Sequence, residues 1–279
     1  MRVAVVGHLE WVRFARVEHV PLAGEILHPS ETWDLPGGGG SVAAVQLARL
    51  AGSCTFFTAV GGDPLGERTI AELSALGLTV HAAVRDLPTR GALTFVDAQG
   101  ERTITTLGAR LEPRADDPLP WDELEGMDAV YFTAGDVEAL RRARRARALV
   151  ATTRAMGRLA EADVRLDAVV GSSRDPSERY EPGALSQTPV VAVRTNGLRG
   201  GSWLTADGRS GSYSAVPSPR PISDLYGCGD SFAAGLTFAL GRGDPLEDAI
   251  VLAARCGAWC ASGRGPYGNQ LTTAELDGD

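Results

Sequence analysis

Short apolar runs and amphipathic stretches alternate along most of the chain. The run RVAVVG (2–7) ends at a glycine and predicts a buried parallel strand. GSVAAVQLARLAG (40–52) predicts a helix that stops at its glycine, followed by a strand in CTFFTAVGGD and a second helix in LGERTIAELSALG. From residue 128 the alternation resumes with DAVYFTA, an arginine-rich helix, ALVATT, DAVVGSS and PVVAVRTNG, and it ends in helical patterns over 230–240 and 245–261. Repeated strand–helix units predict an α/β fold, with a mainly parallel sheet covered by helices on both faces.

One region interrupts this alternation. GALTFVDAQGERTITTL (91–107) consists of two alternating runs around DAQG, which predicts a β-hairpin. With the polar segment 10–36 it predicts a small β-sheet that projects from the main sheet as a lid. We interpret residues 1–279 as one domain with this lid inserted in it. Pairing of lids between two subunits of a homodimer would hide the lid's edge strands or apolar face.

The charge composition limits the possible partners. Asp and Glu number 35 against 27 basic residues, a net charge of −8, which argues against nucleic acid as a partner. All the basic residues are arginines, so a lysine-containing P-loop and lysine Schiff-base chemistry are excluded. Any phosphate must be neutralised by arginine, a metal or backbone N–H groups. The run RRARRAR (141–147) is interpreted as the solvated face of a surface helix, with its alanines pointing inward.

Membrane and redox signals are weak. No stretch approaches the ~20 apolar residues of a membrane span, and no signal-peptide core is present, so we expect a cytoplasmic protein without membrane contact. The cysteines form no CxxC pair, and Cys256 and Cys260 fit a buried helix face as small apolar groups.

The stretch DLYGCGDSFAAGLTFAL (224–240) combines a glycine turn, an acid and a buried helix. Gly227 and Gly229 allow the backbone to form a nest of N–H donors at a helix N-terminus, which favours an anion such as phosphate. Asp230 or Ser231 could simply cap this helix. Alternatively, Asp230 takes the proton of an attacking hydroxyl while the nest holds the charge of a transferring phosphoryl group.

Five motifs, in order along nearly the whole chain, resemble those of the PfkB carbohydrate kinases, the ribokinase-like family. DLYGCGDSF resembles the signature D-T-x-G-A-G-D-x-F. The other matches are PGGGGSVAAVQLARLAG (36–52) to the N-terminal glycine motif, VGGDPLGE (60–67) to the loop after it, FVDAQGERTI (95–104) to the lid hairpin and TNGLRGG (195–201) to the T-x-G-x-x-G nucleotide loop. The resemblance implies a three-layer ribokinase-like fold and phosphorylation of a hydroxyl on a sugar or related small molecule, with ATP and Mg²⁺.

The resemblance also implies roles position by position. Asp230 would be the catalytic base, beside an anion hole of Gly227, Cys228 and Gly229. The nucleotide-contacting positions would be Thr195, Gly197, Gly200 and Ser172, and the substrate loop would be Gly38, Gly39 and Gly40. The family's N-x-x-E, which organises Mg²⁺ and its waters, aligns best with SSRD, so that Asp175 stands in for the glutamate. Asp224 is retained as a second candidate cation ligand.

The acceptor side departs from the ribokinase pattern. The hydroxyl-binding asparagine and aspartate after the first strand align with Glu10 and Val12, and the asparagine after the glycine loop aligns with Val42. Because valine cannot hydrogen-bond a hydroxyl, Glu10 remains as the one charged anchor, while Trp11 beside it is assigned to lid packing. A free carboxylate there favours a neutral or amine-bearing acceptor, unless a lid arginine such as Arg102 reverses the local field. A nucleoside-like or phosphorylated acceptor is as compatible with these residues as ribose.

Two other functions were compared with the kinase. Val12, Val42 and SSRD also fit a catalytically degenerate ligand- or nucleotide-binding protein on the same scaffold. A base at Asp230 would serve no purpose in such a protein, so its retention favours an active kinase of a sugar or a nucleoside. A dinucleotide oxidoreductase is set aside, because GHLEWV stands where G-x-G-x-x-G would follow the first strand.

Overall fold

The computed structural model describes residues 1–276. Its strands are, in chain order, β1 (Val3–Val6), β2 (Glu10–Arg16), β3 (Glu31–Gly37), β4 (Cys54–Gly61), β5 (Leu78–Arg85), β6 (Gly91–Val96), β7 (Arg102–Leu107), β8 (Ala129–Phe132), β9 (Ala148–Thr152), β10 (Ala168–Ser172), β11 (Val191–Thr195), β12 (Gly201–Thr205) and β13 (Ser210–Tyr213). Its helices are α1 (Gly39–Ala51), α2 (Pro64–Ala75), α3 (Val137–Ala143), α4 (Met156–Ala162), α5 (Cys228–Arg242), α6 (Leu246–Ala261) and α7 (Thr273–Leu276). Short 3₁₀ helices lie at Trp121–Gly126, Thr153–Ala155, Pro176–Glu178 and Gly197–Arg199.

The main sheet has, within residues 1–276, the strand order β13–β12–β11–β10–β9–β8–β1–β4–β5. Every pairing from β5 through β11 is parallel, whereas β12 and β13 add antiparallel strands at one edge. The parallel part confirms the sheet predicted from the strand–helix alternation. The β12–β13 hairpin and strand β5 were not identified in the sequence.

Alternate residues of the central strands enter two separate cores. Val3 and Val5 of β1 belong to a core shared with α1, α5 and α6. Ala4 and Val6 belong to a second core, shared with α3 and α4 on the opposite face. The two-residue period of a strand therefore explains why β1 is apolar throughout, and it produces the predicted three layers of helix, sheet and helix.

A second sheet of four strands, in the order β3–β2–β6–β7, corresponds to the predicted lid. Strand β2 pairs antiparallel with β3 and parallel with β6, and β6–β7 is the hairpin predicted at 91–107. Its inner face buries Val12 and Phe14, and the Phe14 ring stacks on Trp33 with 5.0 Å between ring centroids. Trp11 packs against the guanidinium of Arg68, 4.3 Å from the ring centroid, which agrees with a packing role. Strand β7 is exposed along its whole length.

The arginine-rich run departs from the sequence prediction. Helix α3 ends at Ala143, so the second half of the run is a loop leading into β9. Ala143 and Ala146 are buried, as expected, but the arginines fasten neighbouring segments. Arg144 donates to Asp167 at 2.7 Å and to the carbonyls of residues 146, 147 and 165. The Arg144 guanidinium thus satisfies carbonyl groups of the loop after α3 and of the segment before β10, which have no helical partners of their own.

Cys256 and Cys260 are buried and free, as predicted. Among the helices of residues 1–276, none is both long enough and apolar enough to cross a bilayer.

Candidate active site

The glycine loop before α1 brings two distant acids together. Gly38 has φ 87°, and a Cβ at this position would lie 3.2 Å from the backbone nitrogen of Glu10. A Cβ on Gly39 would lie 2.7 Å from Oδ1 of Asp230, and one on Gly40 would lie 2.5 Å from the carbonyl oxygen of His8. Only glycine permits these approaches. The structure therefore places the predicted substrate loop between Glu10 and the predicted base, Asp230.

The glycine turn before α5 leaves donors uncovered. Gly227 has φ 81°, which directs the chain into α5, and no side chain caps this helix terminus. Gly229 is exposed, with no atom within 4 Å of the position that a Cβ would occupy. A hydrogen bond with Cys260 and burial hold the pKa of the Cys228 thiol well above its ordinary value, so the thiol is neutral. The first turn of α5 is thus uncapped by any side chain, has open space beside Gly229 and has no neighbouring thiolate.

Asp224 and Tyr226 fix this turn in place. The Asp224 carboxylate is fully buried and accepts the N–H groups of Tyr226 at 2.8 Å and of Gly265 at 3.1 Å. The Tyr226 hydroxyl accepts the N–H of Gly38 at 2.9 Å, so the two glycine motifs are joined directly. Asp224, which was predicted as a cation ligand, therefore holds the backbone of this turn by accepting the N–H of Tyr226 together with that of Gly265. Burial raises the pKa of its carboxyl.

Asp230 is half-buried at the first turn of α5. Burial raises the pKa of its carboxyl to about 6; Arg154 opposes this rise and Glu178 adds to it. Within residues 1–276 its oxygens accept no hydrogen bond, and Ser231 accepts one from Gln270 at 3.1 Å instead of capping the helix. The capping interpretation of Asp230 and Ser231 therefore finds no support, and Asp230 is free to accept a proton.

Glu10 does not present a free carboxylate. It is 5 % exposed, and its Oε1 lies 3.3 Å from Nη1 of Arg90 and 3.9 Å from Nε2 of His8. Burial lowers the pKa of His8 to about 3, so this ring is neutral, and burial raises the pKa of Glu10 against the pull of Arg90. Val12 and Val42 are fully buried, against Gly37 and Gly227 respectively. The two valines therefore have a packing role beside the glycine turns. The carboxylate of Glu10 is paired with the guanidinium of Arg90.

The predicted nucleotide positions form a second group at the carboxyl ends of β10 and β11. Ser172 and Thr195 are register partners, and the Thr195 hydroxyl donates to the Gly171 carbonyl at 3.3 Å. Gly197 and Gly200 follow with φ of 56° and 78°. Across this loop, Arg174 pairs with Glu101 of the lid hairpin at 2.5 Å. The structure brings all four predicted nucleotide residues into one loop cluster beneath the lid hairpin.

Sequence reasoning missed Glu178. Its side chain is 10 % exposed, accepts the N–H of Ser172 at 2.9 Å and forms an ion pair with Arg154. The predicted residue, Asp175, accepts the Ser177 N–H and hydroxyl at 2.9 and 2.7 Å and meets Arg154 at 3.3 Å. The negative charge of Glu178 adds to the rise in the pKa of Asp230. The missed signal was the spacing S-x-x-D-x-x-E, which supplies a second acid one helical turn after Asp175.

Magnesium in kinases is held by one or two carboxylates together with substrate phosphates and water. In residues 1–276 no group of three or more His, Cys, Asp or Glu side chains is arranged to hold a metal alone. Glu178 and Asp175, which share Arg154, provide the two carboxylates that such a phosphate-dependent site needs. The donor set therefore fits a magnesium ion that arrives with a nucleotide.

Comparison with known proteins identifies the family. The family model described as pfkB family carbohydrate kinase matches residues 1–184 and 182–273. This chain belongs to the pfkB family of carbohydrate kinases. It is accordingly a phosphotransferase that acts on an alcohol group.

Individual relatives agree with this assignment. The aminoimidazole riboside kinase of Salmonella typhimurium is 26% identical over 85% of this chain and 87% of its own length. A ribokinase of Thermotoga maritima superposes with a TM-score of 0.79 at 20% identity, covering 99% of this chain and 98% of the other. The Arabidopsis thaliana ribokinase complexed with ribose and ATP superposes with a TM-score of 0.74 at 17% identity, covering 99% and 97%. These structures establish the ribokinase-like fold.

Proposed function

We propose that this protein transfers the γ-phosphoryl group of ATP to a hydroxyl of a sugar or nucleoside-like acceptor, with Asp230 as the general base. The observation that carries the proposal is the position of Asp230 against Gly39, without a hydrogen bond from residues 1–276 and at the uncapped first turn of α5. A general base has to be unengaged and within reach of the hydroxyl proton that it removes.

In this mechanism the acceptor lies along Gly38–Gly40, with Glu10 on the opposite side of the loop. Asp230 removes the hydroxyl proton as the oxygen attacks the γ-phosphorus, and the bond from this phosphorus to the β,γ-bridging oxygen breaks, so that ADP leaves with the bridging oxygen. The N–H groups at Gly227, Cys228 and Gly229 stabilise the charge on the transferring group, as a fixed anion hole does. Because Asp230 has a pKa of about 6, it is ionised at neutral pH and still basic enough to hold the proton.

The nucleotide is assigned to the cluster of Ser172, Thr195, Gly197 and Gly200. The Arabidopsis ribokinase, which shares this fold, is described in complex with ATP, which supports a nucleotide as the second substrate. Magnesium, when bound with the nucleotide, supplies charge neutralisation for the phosphates. Glu178 and Asp175 would hold the ion or its waters, and Arg154, which now pairs with both, would keep the two carboxylates in place.

The test is an ATP-consumption assay over a panel of sugars and nucleosides, followed by detection of the phosphorylated product. We expect turnover with at least one acceptor and its loss in Asp230→Asn, with ATP binding retained. Tight acceptor binding without any phosphorylated product would instead identify a ligand-binding protein on the kinase scaffold. Asp230→Asn activity within threefold of wild type would remove Asp230 from the mechanism.

A further inference from the structure

The side chain of Arg174 lies across the loop to which the nucleotide is assigned. The N–H of Ser173 donates to the carbonyl of Thr195 at 2.8 Å, which extends the pairing of β10 and β11 by one residue. The N–H of Arg174 donates to the hydroxyl of Ser172 at 3.2 Å. A Cβ on Gly197 would lie 3.7 Å from Nη1 and 3.8 Å from Cδ of Arg174. Arg174 is therefore fixed to the candidate nucleotide residues at its backbone and passes over one of them with its side chain.

Glu101 of the lid hairpin divides its carboxylate between two arginines. Its Oε2 accepts a hydrogen bond from Nη2 of Arg174 at 2.5 Å, and its Oε1 accepts one from Nη1 of Arg102 at 2.7 Å. The side chains of Arg174, Arg102 and Glu101 are 48 %, 39 % and 33 % exposed. Two charged arginines thus share one acid, and a ligand from solvent can reach all three groups.

The ion pair between Arg174 and Glu101 is readily exchanged for another anion. A salt bridge between exposed side chains contributes little to stability, because water screens both charges. Glu101 keeps its bond to Arg102 when Arg174 turns away, so the exchange leaves no carboxylate without a partner. The phosphates of a nucleotide carry more negative charge than one carboxylate and attract the guanidinium more strongly.

Other arginines near this loop are less suited to a phosphate. The chain contains no lysine, so a side chain that neutralises nucleotide phosphates has to be an arginine. Arg154 is engaged by both carboxylates of the proposed magnesium site. Arg199 donates to the side chain of Asn196 within its own loop, at 3.3 Å. Arg174, by contrast, contacts the nucleotide loop and is held by an acid that has a second partner.

We propose that Arg174 binds the phosphates of the nucleotide, and that Glu101 occupies this arginine until the nucleotide arrives. The proposal rests on the nucleotide site of the kinase function proposed above, and it adds a residue at a position that the pattern N-x-x-E leaves open. The planar guanidinium fork matches the oxygens of phosphate. Glu101 is then a competitor of the nucleotide, and its ion pair with Arg174 is broken when the nucleotide binds.

The test measures nucleotide affinity without an acceptor. A non-hydrolysable ATP analogue is titrated with Mg²⁺ into the protein in a calorimeter, at constant ionic strength. The variants are Arg174→Gln, Glu101→Gln and the two combined. The matched controls are Arg179→Gln and Glu181→Gln, which break an exposed ion pair that is also 2.5 Å long and lies in the neighbouring segment. The thermal midpoint without ligand checks that each variant is folded.

The two partners should change nucleotide affinity in opposite directions. Arg174→Gln should raise the Kd of the analogue about tenfold, since hydrogen bonds to a charged group are worth about that much. Glu101→Gln should lower it by up to about fivefold, the worth of an exposed ion pair. Combined with Arg174→Gln, the change at Glu101 should lower Kd no more than Glu181→Gln does, because Glu101 then has no arginine to withhold. Arg179→Gln should bind as wild type does.

Several outcomes would overturn the proposal. Equal Kd values in Arg174→Gln and wild type would show that the phosphates do not reach this arginine. Weaker binding in Glu101→Gln would show that the intact ion pair supports the site. An effect of Glu101→Gln equal to that of Glu181→Gln would show a general effect of charge without competition.

Measuring binding without an acceptor separates this proposal from the kinase proposal. Analogue binding that depends on Arg174, with no phosphorylated product from any acceptor, would reject the kinase and keep the role of Arg174. Turnover of an acceptor with a Kd independent of Arg174 would do the reverse. No binding of the analogue to the wild-type protein would reject both.

Discussion

Asp230→Asn should make the protein less active and more stable at the same time. Without the base, kcat should fall by about 10²–10⁴-fold, the usual contribution of general-base catalysis. The stability gain follows from burial, which raises the pKa of Asp230 from its ordinary value of 3.8 to about 6. At 1.36 kcal/mol for each pH unit between these values, the ionised carboxylate costs the folded state about 3 kcal/mol at pH 7.

The sign of the pH dependence follows from the same pKa difference. The folded protein holds the proton of Asp230 more tightly than the unfolded chain does, so protonation favours folding. This contribution is fully present below pH 3.8 and is lost as the pH rises through about 6. Asparagine has the shape of the acid and no charge. The gain in Asp230→Asn should therefore be about 3 kcal/mol at pH 7, about half of that at pH 5, and close to zero at pH 3.

The assay is urea unfolding of wild type and variant at these pH values, alongside the pH profile of kcat/KM. The wild-type profile should fall below about pH 6, since the base is then protonated. Asp86→Asn, at an exposed aspartate, is the matched control and should change neither quantity. A gain in Asp230→Asn that is the same at pH 7 and pH 3, or that is absent at pH 7, would refute the burial argument.

Three further changes test the geometry of the site. Gly39→Ala would place a Cβ 2.7 Å from Asp230 Oδ1 and should lower kcat at least tenfold. In the control Gly157→Ala, the new Cβ has no atom within 4 Å, so kcat should not change. Equal kcat values in the two variants would contradict the close approach. Gly229→Val should fold normally by circular dichroism, because its Cβ meets no atom, but should lose activity by covering the N–H nest; retained activity would place the phosphates elsewhere. Glu178→Gln should raise the Mg²⁺ concentration needed for half-maximal activity about tenfold, and an unchanged requirement would remove Glu178 from the metal site.

Features set by neighbouring residues could be predicted from the sequence. Helix α1 ends at Ala51 because Gly52, with φ 87°, caps it, and this glycine was visible as the stop signal. The hairpin at 91–107 was visible from its two alternating runs around a turn. The glycines at 38–40 were assigned to the substrate loop from the resemblance of their motif to that of the family, and the structure sets Gly39 beside Asp230.

Features set by distant residues could not be predicted in the same way. Glu10 was expected to be a free anchor, but its partner Arg90 directly precedes β6, a lid strand whose parallel register with β2 no local pattern reveals. Glu178 was missed because its role depends on Arg154, which lies in a separate 3₁₀ helix, Thr153–Ala155. Likewise, the structural role of Asp224 depends on a hydrogen bond from the N–H of Gly265, which is distant in sequence.

The lid hairpin and the glycine turn before α5, which is the proposed anion hole, are joined by a hydrogen bond from the N–H of Leu225 to the carbonyl of Gly100, at 2.9 Å. Arg16 of β2 adds a second link, donating to the Ser223 carbonyl at 3.3 Å. Under the proposed function, an acceptor that shifts the lid would therefore also shift the loop proposed to receive the phosphates, and the two substrates would be heterotropic effectors of each other. Linkage then requires reciprocity: the factor by which acceptor changes nucleotide affinity equals the factor by which nucleotide changes acceptor affinity.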